Sequence, residues 1–96
     1  MSARADNAGT EVVLYTTGWC PFCIRAKHLL DQRGIAYTEH RVDLQPALRD
    51  EMESRAAGRT SVPQVFIGDT HVGGCDELHA LDTRGGLDAL AANRTP

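Results

Sequence analysis

The chain has little that would suit it to a nucleic acid or a membrane. Lys and Arg number 10 against 13 Asp and Glu, for a net charge of −3. Polyanions and anionic bilayers select basic surfaces, so this balance argues against both as partners. No run approaches the ~18 apolar residues needed to cross a bilayer. The opening MSARADNAGTE has no apolar core of the length a signal peptide requires. A cytoplasmic protein is therefore expected. Like-charge blocks, internal repeats and low-complexity segments are also missing. Cysteine is scarce, at 3 residues. In a cytosolic protein so few cysteines point to catalysis or metal binding before a disulfide framework.

What is present suffices for one small domain. The chain has 96 residues, of which 42% are hydrophobic, enough for a single core without staples. Residues 1–10 are small and polar and are expected to form a disordered lead, with the domain over 11–92 and a frayed tail at 93–96. VVLYT at 12–16 reads as a buried strand. Helical spacing follows the cysteine pair, with Cys23, Ala26, Leu29 and Leu30 on one stripe and Gly34 as the C-terminal cap. A second strand is expected at 36–42. Asp43 reads as the N-cap of a helix that carries Pro46 in its first turn and runs to about Ala57. QVFI at 64–67 and HVG at 71–73 read as strands joined by a Gly-Asp turn. From Gly74 the chain turns helical again, and Gly85 and Gly86 split that region in two. The order β-α-β-α-β-β-α requires a parallel pair joined by a right-handed crossover and an antiparallel hairpin. The expected fold is α/β: a mixed four-stranded sheet with helices on both faces.

The stretch TTGWCPFCIRAKHLL, residues 16–30, raises the functional question. A zinc site wants four ligands from paired groups. Cys20 and Cys23 offer one pair, Cys75 stands alone, and His28, His40, His71 and His79 are scattered. No metal site is expected. A structural disulfide across three residues would close a tiny loop, where loop-closure stabilisation is least. A reactive pair fits better. Cys20 falls at the start of a helix, where unpaired N–H groups and the helix dipole favour a thiolate. Such placement lowers a cysteine pKa from ~8.5 into the range ~3.5–7.5. Lower basicity also makes the sulfur a better leaving group in thiol exchange. Cys23 lies one turn further on the same face, within bridging reach. Pro21 suits the first helical position.

Four motifs in order make the chain resemble the glutaredoxins, with the closest likeness to the bacterial dithiol, glutaredoxin-3-like type. They are CPFC at 20–23, TSVPQVFI at 60–67, GGCDEL at 73–78 and LDTRGGLDAL at 81–90. The resemblance covers Val12 to Leu90. It implies a thioredoxin-like fold and glutathione-dependent thiol–disulfide exchange on disulfide-containing or glutathionylated proteins. Glutathione would be a co-substrate, no cofactor would be tightly bound, and a monomer is expected. Cys20 would be the nucleophile and Cys23 the resolving thiol. Phe22 stands where tyrosine is commonest, keeping an aromatic wall without the hydroxyl. Val62-Pro63 matches the family's cis-proline loop, which would present the Val62 backbone to the glutathione cysteine strand to strand, with Ser61 beside it. Gly74, Cys75 and Asp76 match the end that holds the γ-glutamyl group. There a helix N-terminus offers N–H groups to a carboxylate.

Some positions depart from the family pattern or admit two readings. Many glutaredoxins carry lysine where this chain has Thr17. Arg59 is the candidate replacement cation for the glycyl carboxylate, with Arg25 and Lys27 on the first helix as the others. Asp76 either meets the γ-glutamyl ammonium or, with Glu77, simply complements the helix dipole. Cys75 is either a small buried residue or a regulatory thiol. Trp19 is either an exposed apolar rim or a contact surface for protein substrates. The alternative function is an iron–sulfur carrier, a dimer bridged by a [2Fe–2S] cluster. Pro21 and Cys23 depart from the CGFS pattern common among such proteins.

Overall fold

The computed structural model describes residues 11–91; the expected lead at 1–10 and tail at 93–96 lie outside the described residues. Among the described residues, four strands and four helices follow in the order β1 (Val12–Thr16), α1 (Pro21–Gln32), β2 (Thr38–Arg41), α2 (Pro46–Arg55), β3 (Gln64–Ile67), β4 (Thr70–Gly73), α3 (Cys75–Thr83) and α4 (Gly86–Ala91). The sheet order is β2-β1-β3-β4. β1 pairs parallel with β2 and antiparallel with β3, and β3 pairs antiparallel with β4. The mixed sheet expected from the sequence is therefore the one formed.

β1 is buried along its whole length, as a central strand covered on both faces must be. Its alternation divides the core. Val12 and Leu14 join Val65 and Ile67 under α1, α3 and α4, where Ala26, Leu29, Leu30, Leu78 and Leu87 meet them. Val13 and Tyr15 point the other way, with Phe66, toward Met52 and Ala56. Met52 is the one buried residue of α2. The Arg55 guanidinium lies 4.2 Å over the Phe66 ring and donates to Tyr15 Oη at 3.0 Å.

Helix ends follow local chemistry. Gly34 adopts φ 69° after α1, and Gly34 N and Ile35 N reach back to Asp31 O and Leu30 O. That pattern is a Schellman stop. Asp43 differs from its expected role. The chain takes another turn first, so Pro46 becomes the first helical residue and Gln45 the N-cap, without a side-chain bond. Asp43 instead accepts from Gly18 N at 3.0 Å and forms a two-pronged pair with Arg41 at 2.7 Å on each prong. α2 also ends at Arg55, two residues before the expected Ala57, which turns to φ 57°. β2 is shorter than expected, and β4 begins one residue earlier, at Thr70.

Candidate active site

Cys20 is the N-cap of α1, in extended conformation, with Pro21 at the first helical position. The Cys23 N–H donates to Cys20 Sγ at 3.1 Å. Cys20 Sγ lies 3.8 Å from Val62 O, so the sulfur sits between a helix N-terminus and the loop before β3. Cys20 keeps 7% of its surface in solvent, against 1% for Cys23. Burial, reinforced by the hydrogen bond to Cys20, pushes the Cys23 thiol up to about 12, although a bond from the Thr17 backbone works the other way. Cys23 is therefore a protonated, sheltered thiol behind a more accessible one. All three cysteines are free.

A cleft of about 220 Å³ opens beside this pair. Phe22 and Arg59 form part of its lining, followed by Ser61, Val62 and Pro63, then Gly74, Cys75, Asp76 and Glu77. Every glutathione-contact residue expected from the sequence lies on this one cleft. The Val62-Pro63 peptide bond is cis. Phe22 is half exposed, with Arg25 at 5.9 Å from its ring centroid. Cys75 is buried, and burial pushes its thiol pKa up; the positive charge of Arg25 partly offsets this.

Lys27 is paired with Glu39 at 2.9 Å and does not line the cleft; the Thr16 hydroxyl donates to the same Glu39 oxygen at 2.6 Å. Arg59 lines the cleft, with Nη2 at 4.0 Å from Glu77 Oε2. Trp19 projects outward, 84% exposed, and does not line the cleft.

Sequence reasoning gave Glu77 a surface role and assigned none to Gln64. Glu77 Oε1 accepts from Gly74 N at 2.7 Å, satisfying a free donor at the start of α3. That bond and Arg59 nearby hold its carboxyl below the usual range. Its position three residues after Gly74 is the spacing of a helix-start capping pair, and was the available signal. Gln64 is fully buried and bonds to Ser61 and His71. Nothing in its local sequence marks that contact.

The four-stranded sheet with helices on both faces is a thioredoxin-like fold, and it carries a redox-active C-x-x-C at a helix N-terminus. That is the class of a thiol–disulfide oxidoreductase. Within it, the chain belongs to the glutaredoxin family: the Glutaredoxin family model matches residues 12–72. The chain is 60% identical over 79 residues to a glutaredoxin of Pseudomonas aeruginosa, covering 82% of this chain and 93% of that protein. It is 53% identical over 80 residues to glutaredoxin 3 of Escherichia coli, covering 83% and 95%. Among solved structures it is similar to a buckwheat glutaredoxin–glutathione complex, at 29% identity and a TM-score of 0.77, covering 93% and 83% of the two chains.

Proposed function

We propose that this glutaredoxin is a glutathione-dependent oxidoreductase that reduces protein disulfides and glutathione mixed disulfides. The observation that carries this reading is the cleft running from Phe22 past the Val62 backbone to the N-terminus of α3. Its backbone edge suits the cysteinyl peptide unit of glutathione. Arg59 offers a cation to the glycyl carboxylate. The start of α3 and Asp76 offer N–H groups and an anion to the γ-glutamyl end. The solved buckwheat complex shows that a structurally similar protein takes glutathione.

The chemistry follows from the asymmetry of the pair. The Cys20 thiolate attacks the glutathionyl sulfur of a mixed disulfide, and the substrate thiolate leaves and takes up a proton. A second glutathione then attacks that intermediate, releasing Cys20 and forming glutathione disulfide. On a protein disulfide, Cys20 forms a mixed disulfide with one substrate sulfur. Cys23 then gives up its proton and attacks Cys20 Sγ, freeing the substrate as a dithiol. Two glutathione molecules reduce the resulting Cys20–Cys23 bond. Cys23 is held as a thiol by burial, so it acts second.

A glutathione-coupled assay on a small glutathionyl mixed disulfide tests the reading. Cys20→Ser should abolish turnover, and Cys23→Ser should keep deglutathionylation while losing reduction of protein disulfides. Activity in Cys20→Ser would sink the assignment, and equal loss in both would leave only the dithiol route.

A further inference from the structure

The wall of the cleft beside Cys20 is a loop, and a loop needs support to present a backbone edge. Behind it lies Gln64, a polar side chain with no exposed surface. Gln64 Nε2 donates to Ser61 O at 3.0 Å and to Ser61 Oγ at 3.2 Å. A carbonyl can only accept, so the amide nitrogen must face Ser61 and Oε1 must face away. Oε1 lies 2.7 Å from His71 Nε2. That nitrogen must therefore carry the proton and donate, which fixes the ring tautomer. The ring itself is held by Phe66, stacked at 4.7 Å between centroids and 19° between planes. From outside, Arg49 Nη1 reaches Thr60 O at 3.4 Å.

We infer that Gln64 and His71 are positioning residues that set the height of the Ser61–Pro63 segment over the cleft, and so the affinity for the glutathionyl group. This inference rests on the glutathione reading above. Neither residue lines the cleft, so neither is catalytic. Their action runs from the β4 ring through the β3 amide to Ser61, one residue from the Val62 backbone. A buried amide with all its partners satisfied holds one geometry, whereas an apolar replacement leaves Ser61 O without its donor.

The test compares wild type, Gln64→Leu and His71→Phe, the latter keeping a ring to stack on Phe66. Single-turnover rates of the reduced proteins are measured with a glutathione–peptide mixed disulfide and with dithiodipyridine, which has no peptide backbone to bind. Both variants should need roughly 5- to 10-fold more glutathionyl substrate to reach half-maximal rate, as befits loss of one or two hydrogen bonds. The saturating rate and the dithiodipyridine rate should stay at wild-type values. A slowly exchanging His71 imidazole N–H, visible by NMR in wild type, should be lost in Gln64→Leu. Unchanged half-saturation in both variants overturns the positioning role alone, and so does a parallel loss on both substrates. A wild type that shows no saturation with the glutathionyl substrate overturns the glutathione reading, and this inference with it.

Discussion

Gly18 N donates to Asp43 Oδ2 at 3.0 Å, tying the loop before Cys20 to the residues that follow β2. Arg41 completes the clamp from the other side. A Cβ at Gly18 would clash with the Arg41 guanidinium. The ion pair is exposed, and exposed pairs contribute little to global stability. Asp43→Ala and Gly18→Ala should each speed hydrogen exchange at residues 18 and 19 while leaving the melting temperature close to that of wild type. A large fall in Tm for Asp43→Ala would show that the clamp holds up the fold and not just the loop.

Arg59 is the cation on the cleft, and Glu77 stands 4.0 Å from it. Arg59→Ala should raise KM for a glutathionyl mixed disulfide by roughly 3- to 10-fold, as expected for a partly solvated charge pair, with kcat little changed. The measurement is initial-rate kinetics at low and high salt. An unchanged KM would remove Arg59 from the binding site.

Gly73 sits at φ 117°, and a Cβ there would meet Glu77 Cγ at 2.9 Å. Gly73→Ala therefore combines backbone strain with displacement of the side chain that accepts from Gly74 N. A loss of more than about 1 kcal/mol is expected, read from urea unfolding, together with weaker binding of the glutathionyl substrate. Wild-type stability would mean that the loop relaxes without resistance.

Stability should fall at both ends of the pH range. Burial opposes an ionised Glu39, but the Thr16 and Lys27 hydrogen bonds outweigh it and lower its pKa. Asp43 is held well below the usual carboxylate range by Arg41, and Glu77 is lowered by Gly74 N. A group depressed in the folded state binds fewer protons there than in the unfolded chain, so its contribution is present above ~4 and lost as pH falls further. Cys23 works in the opposite sense. Burial pushes its folded thiol up to about 12, so the unfolded chain releases that proton first, from ~8.5 upward. Stability should decline between those values, and the alkaline decline should be smaller in Cys23→Ser. An identical alkaline limb in that variant would contradict the buried-thiol assignment.

Part of the site is legible because it is written locally: a cysteine before Pro21 specifies a helix start in a few residues. The cis turn at Val62-Pro63 and the end at Gly74, Cys75 and Asp76 are legible only through the family resemblance, since a Val-Pro bond is ordinarily trans. VVLYT marks a strand buried on both faces, but an unbroken apolar run does not tell which residues face which helix layer; the packing of Val12 and Leu14 apart from Val13 and Tyr15 does. Asp43 was misread because an Asp three residues before a proline-led turn has the right chemistry for an N-cap. Its actual partner, Gly18, lies 25 positions away. Gln64 and His71 were silent for the same reason: they meet only because β3 and β4 pair with a register shift between Val65 and Phe66, which brings Phe66 opposite His71. The environment of Lys27 was hidden until β2 lined up beside β1 and carried Glu39 to it.

The two faces of the sheet are unequally protected. Three helices cover one, and α2 alone covers the other, contributing Met52 as its single buried residue. Part of that cover is the Arg55 guanidinium resting on Phe66, a lid of charge where the opposite face has leucine. With so little apolar area holding it down, α2 is the segment whose departure disturbs the rest least. Reversible opening of the molecule should begin there, on the side of the sheet away from α1.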